Sequence, residues 1–173
     1  METIYKKEIF ELAANRIDKK FYNSSEKHAA IVHQAIAYNA KDYIYVYSSC
    51  LCTEISNNDE YCRYIDKFLS EDKKHYIRII LTDYSCDFLS KPIARVLMKY
   101  PLQVFIKKFS GKVVHRGKEI HFTIADDCMF RLETDIEKHL AYGNFNSQRD
   151  VVTLKNIFDK IYQSPLSKSC TFY

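Results

Sequence analysis

Residues 119–146 read EIHFTIADDCMFRLETDIEKHLAYGNFN. Two runs within it alternate in character, Ile120-His121-Phe122-Thr123-Ile124 and Met129-Phe130-Arg131-Leu132-Glu133. A period of two predicts neighbouring strands, with Asp126-Asp127 as the tight turn between them. Phe122, Ile124, Phe130 and Leu132 then point one way, and His121, Thr123, Arg131 and Glu133 the other. One face is apolar; the other carries an imidazole, a guanidinium and a carboxylate. Gly143-Asn144-Phe145-Asn146 follows as an expected polar turn, so this stretch is where a functional site is sought.

Upstream, Tyr43-Ile44-Tyr45-Val46-Tyr47 is rich in β-branched and aromatic residues, the composition of a buried central parallel strand. It ends in Ser48-Ser49, at the carboxyl edge where open α/β sheets keep their ligands. A helix over 60–70, a strand over 76–82, a helix over 88–99 closed by Pro101 and a strand over 103–107 continue the alternation. Short strands after Ser110 turn at Gly111 and Gly117. A last helix over 148–162 buries Val151 or Val152, Leu154, Ile157, Phe158 and Ile161. At the other end, residues 2–20 have helical periodicity, and Asn23 or Ser24 starts a second helix running to about Asn39. The expected fold is α/β: a mixed sheet with central parallel strands, helices on both faces and an added N-terminal helix. The expected divisions are an amphipathic helix in 1–22, the α/β domain in 23–164 and a polar tail in 165–173.

The chain has 173 residues, 47% hydrophobic and 28% charged, which is globular composition and excludes a disordered chain. A net charge of +4 tilts only mildly toward a phosphate-bearing partner. The N-terminus, METIYKKEIF, is charged from the start, and no apolar run approaches the roughly 20 residues that span a membrane. A cytoplasmic protein without membrane contact is expected, its six cysteines at 50, 52, 62, 86, 128 and 170 acting as small buried hydrophobes. His28 and His33 are five apart and do not share a helix face as metal ligands would, so a solvated or capping role is expected. Neither metal nor cofactor is expected. His115 and Arg116, with Lys112 and Lys118, form a basic loop of the kind that grips a nucleic-acid backbone when it is not merely solvated.

The order of elements and the motif His121-x-Thr123, Asp126, Gly143-Asn144-Phe145-Asn146 resemble one half of the phospholipase D-like superfamily. Its signature is His-x-Lys, then an aspartate, then Gly-Ser-x-Asn, and the resemblance covers about residues 24–163. Thr123 stands at the family's lysine, Asn144 at its serine, and the aspartate comes two residues early. The chain is similar to small bacterial members with one signature, some of them associated with phage-defence gene clusters. Such members pair two subunits around one site, so the resemblance implies a homodimer.

What the resemblance implies chemically is a phosphodiesterase or nuclease. One histidine attacks phosphorus, a second protonates the leaving oxygen, and cations and amides neutralise the phosphoryl oxygens. His121 then serves as nucleophile or acid, Arg131 as a planar phosphate ligand partly replacing the lysine, and Glu133 as the orienting carboxylate. Asn144, Asn146, Ser48 and Ser49 are the candidate phosphate contacts, and His139 is the candidate second histidine. The expected partners are a nucleic acid or nucleotide and a second copy, with the N-terminal helix a possible seat for another protein. The alternative is a catalytically inactive module that binds a partner or ligand through the former active-site face. His, Arg and Glu on one strand face also form ordinary cross-strand ion pairs on exposed sheets.

Overall fold

A computed structural model describes residues 2–84 and 86–170. The chain opens with α1 (Glu2–Ala14) and a three-residue strand, β1 (Phe21–Asn23). Then come α2 (Glu26–Asn39), β2 (Tyr43–Ser48), α3 (Glu54–Asn57), α4 (Asp59–Glu71), β3 (Tyr76–Leu81), α5 (Cys86–Ser90), α6 (Pro92–Leu97) and β4 (Val104–Phe109). The hairpin β5 (Val114–His115) and β6 (Lys118–Glu119) leads into β7 (His121–Ala125), β8 (Met129–Asp135) and β9 (Leu140–Asn144). α7 (Gln148–Gln163) and β10 (Ser167–Ser169) complete it.

Eight strands form one sheet in the order β1-β9-β8-β7-β2-β3-β4-β10. β2, β3 and β4 are parallel, and β7 runs antiparallel to β2. The pleat sorts the side chains into two cores. Ile44, Val46, Ile77, Ile79, Val104 and Ile106 pack under the helices α1 to α6. Tyr43, Tyr45, Tyr47, Phe122, Ile124 and Phe130 pack under α7. The tyrosines of β2 are therefore core, and α7 meets them with Val151, Leu154, Phe158 and Ile161 while Val152 is 48% exposed. The mixed sheet with helices on both faces is as expected.

Several local expectations need correction. The first helix stops at Ala14, because Arg16 takes a left-handed conformation (φ 48°) and turns the chain into β1. Ser25, not Asn23 or Ser24, caps α2, its hydroxyl accepting from the His28 amide. The single helix over 88–99 is two, α5 and α6, because Pro92 lacks the N–H needed to continue the first and instead begins the second. Gly143 is not in a turn. It lies inside β9, where a Cβ would stand 2.3 Å from the Phe130 carbonyl oxygen and 2.5 Å from the Phe21 ring. The stretch read as a polar tail contains β10, which pairs with β4. Among the described cysteine side chains only Cys62 is buried, the other four being half-exposed and free; that of Cys86 lies outside the described residues.

Candidate active site

The register of β7 and β8 sets His121 opposite Glu133 and Thr123 opposite Arg131. All four face the α1–α2 side of the sheet, and α2 lies over them. What an open sheet would display to solvent is thereby enclosed: Arg131 is 3% exposed, Glu133 5% and His121 7%. An exposed surface ion-pair network is excluded by that burial. A cavity of about 90 Å³ opens beside these residues, at the carboxyl end of β2. Ser48, Ser49, His33, His121, Thr123, Arg131, Glu133 and His139 all contribute to its wall.

Buried polar groups must find partners, and here they find one another. The Ser49 amide donates to His121 Nε2 at 3.0 Å, which places the proton of a neutral ring on Nδ1. That Nδ1 is 3.4 Å from Glu133 Oε2. Glu133 Oε1 accepts from Arg131 Nη2 at 2.9 Å and lies 3.5 Å from His139 Nδ1. Arg131 Nε donates to Asn23 Oδ1 at 3.1 Å, and Asn23 Nδ2 donates to the His139 carbonyl at 3.0 Å. The result is a cluster drawn from β1, β7, β8 and the β8–β9 turn, in which His139 Nδ1 is left without a hydrogen bond among the described residues.

Burial pushes the Glu133 carboxyl up, but His121 and Arg131 outweigh it and hold it down at about 2. Glu133 is thus an anion at neutral pH, able to orient imidazoles and stabilise their charged form. His33 goes the other way. Burial, reinforced by the Arg131 charge and opposed by Glu133, pushes its imidazole down to about 3, so it is a neutral wall of the cavity.

Of the residues singled out from the sequence, His121, Arg131, Glu133, Ser48 and Ser49 come together. Ser49 contributes its amide, and the Ser48 hydroxyl is turned to the Cys50 carbonyl. Asn144 and Asn146 do not join them. Asn144 pairs with Phe130, three residues along β8 from Glu133, or about 10 Å at strand rise. Its amide donates to Asp18, its oxygen accepts from the Asn146 amide, and Asn146 is exposed. Asp126 is farther still, about 17 Å from His121 along β7. It holds Arg16 at 2.7 Å and the amides of Lys41 and Asp42, fastening α1 and the α2–β2 loop. Two lysines of the basic loop are ion-paired, Lys112 with Glu119 and Lys118 with Asp135.

Sequence reasoning missed Asn23 and His33. Asn23 was read as a helix cap because it precedes a helix start; nothing local marks a three-residue strand that exists only by pairing with β9. His33 was judged by its spacing to His28, when its useful relation is to a strand distant in the chain. Among the described residues, no group of three or more His, Cys, Asp or Glu gathers to hold a metal ion. None of the described helices is long and apolar enough to cross a membrane.

A mixed sheet with its polar site at the carboxyl edge of the parallel strands, closed by an antiparallel β7–β8–β9 meander, is a phospholipase D-like fold. Solved structures sharing it include NucT from Helicobacter pylori (11% identity, TM-score 0.60, spanning 89% of this chain and 100% of that one). Nuc from Salmonella typhimurium, a phospholipase D family member, matches with 7% identity and a TM-score of 0.58 over 89% of this chain and 99% of its own. TrmBL2, an archaeal chromatin protein with a novel mode of DNA binding, matches with 14% identity and a TM-score of 0.63. That match spans 98% of this chain and 62% of TrmBL2. No family model and no curated protein sequence matches the chain.

Proposed function

We propose that this chain engages a phosphodiester of a nucleic acid or nucleotide in the His121 cavity, as a nuclease-like phosphodiesterase. The observation that carries the reading is the fixed His121–Glu133–Arg131 array at the edge of a cavity. A carboxylate behind Nδ1 orients the imidazole and neutralises the cation formed when Nε2 attacks phosphorus. Arg131, in the cavity wall, is the fixed positive charge available to the phosphoryl oxygens, in the place where Thr123 provides none. The DNA binding of TrmBL2 and the phospholipase D family membership of Nuc agree with this reading. The homodimer and a role in bacterial anti-phage defence rest on the family resemblance. A partner protein seated on α1 would meet its outer face, since Ile9, Leu12 and Ala13 are buried in its own domain.

The test is cleavage of single-stranded DNA, RNA and a simple phosphodiester by the wild type and by His121→Ala. Turnover that vanishes in a folded variant supports the reading, and unchanged cleavage removes it. One observation favours the second reading, an inactive binding module. The lone pair of His121 Nε2 is already engaged by the Ser49 amide, and attack requires that bond to open. On that reading the wild type turns nothing over, and Arg131→Ala abolishes ligand binding.

A further inference from the structure

We propose that His33, on α2, hydrogen-bonds the 2′-hydroxyl beside the scissile phosphate, so that the site selects ribonucleotide esters over deoxyribonucleotide ones. The proposal rests on the reading above that a phosphodiester enters the His121 cavity.

Three observations carry it. First, α2 lies over His121 and Arg131, and His33 is the residue it places in the cavity wall with them. The ring is close enough to Arg131 and Glu133 for both charges to act on it. Second, its hydrogen-bonding capacity is free. Tyr61 meets the ring edge-on, with centroids 6.0 Å apart and planes at 87°, and no hydrogen bond holds either ring nitrogen among the described residues. His33 keeps some accessible surface although protein surrounds it, as a ring facing a cavity does. Burial keeps it neutral, and a neutral imidazole presents one donor and one acceptor. A charged ring would be drawn to the phosphoryl oxygens and would treat RNA and DNA alike. A neutral ring beside Arg131 is left for an uncharged polar group.

Third, the cavity limits which uncharged group that is. Its volume is about 90 Å³, whereas a benzene-sized ring occupies a cavity of about 150 Å³. A phosphoryl group and the adjoining sugar atoms enter, and the base stays outside. Within that reach of phosphorus, RNA carries the 2′-hydroxyl, on the carbon next to the one that bears the 3′ ester. It both donates and accepts, as the imidazole requires, and DNA lacks it.

The test uses a uridine dinucleotide carrying 2′-OH, 2′-H or 2′-O-methyl beside the scissile phosphate. Cleavage is measured with the wild type, His33→Phe, which keeps a ring against Tyr61 without its nitrogens, and His33→Gln, which keeps a donor and an acceptor. His33→Leu serves where the phenylalanine variant does not fold. Binding of the same esters is measured on the His121→Ala background, where no turnover consumes them. The 2′-OH ester is expected to be preferred about 5–10-fold over the 2′-H ester by the wild type. The preference falls to one or below in His33→Phe, through loss on the 2′-OH ester, and survives in part in His33→Gln. A merely structural role for His33 would instead lower both esters alike. Equal handling of the 2′-OH and 2′-H esters by the wild type, or a preference that His33→Phe leaves intact, overturns the proposal and leaves the phosphodiesterase reading standing. Selective binding that depends on His33, without turnover, upholds the proposal and removes the hydrolysis. Neither binding nor turnover of any ester overturns both.

Discussion

His33 and Glu133 share a cavity wall, yet their protons respond to the fold in opposite ways, and both responses reach stability. His33 is pushed down to about 3 when folded, against about 6.5 in an unfolded chain. Between those values the unfolded state binds the extra proton, so stability falls as pH drops from about 6.5 toward 3. Glu133, held at about 2, adds a second loss that starts below its unfolded value of about 4.3. His33→Gln is expected to flatten the upper part of this acid slope and leave the lower, as measured by urea melts from pH 7 to pH 2. Gly143 carries a different constraint. A methyl there meets a backbone carbonyl that cannot move aside, so Gly143→Ala is expected to cost about 1–3 kcal/mol in the same melts. The residue scale was only partly legible. His121, Arg131 and Glu133 are visible because a strand's alternation fixes which side chains share a face. Gly143 was misread because a glycine before asparagine signals a turn unless a crowding neighbour, here Phe21, is known.

At the scale of elements, β7 and β8 follow from period-two patterning, and β2 and β3 from continuous β-branched and aromatic runs. β1 and β10 do not, since each is three residues long and exists through its pairing partner, and β9 does not because its Gly-Asn reads as a turn. That gap hid part of the site, because β1 brings Asn23 and the turn before β9 brings His139. Asp126, the match to the aspartate of the resemblance motif, lies in the expected turn between β7 and β8 and fastens α1 through Arg16 at the far end of the strand. Arg16→Ala leaves that buried carboxylate with amide donors only. It is expected to lower stability by about 1.5–3 kcal/mol, read by thermal or urea unfolding. Phosphodiester binding should persist at temperatures where the variant stays folded, because the loss lies about 17 Å from His121.

Across the whole molecule, the layer order was legible because an alternating helix–strand sequence leaves few ways to cover a sheet. The enclosure of the polar face was not. Nothing in the period of β7 or β8 says that α2 will cover it, and that cover turns a surface ion pair into a cavity with fixed charges. The claim on which the rest depends is that the His121 imidazole in this cavity reacts with phosphorus. The most direct measurement is mass spectrometry of the His121-containing peptide after rapid quenching of wild type and His121→Ala mixed with bis(p-nitrophenyl) phosphate. The account predicts an adduct of one nitrophenyl phosphoryl group on His121 in the wild type and none in the variant. Release of p-nitrophenol with no adduct, at a rate the variant matches, would contradict it.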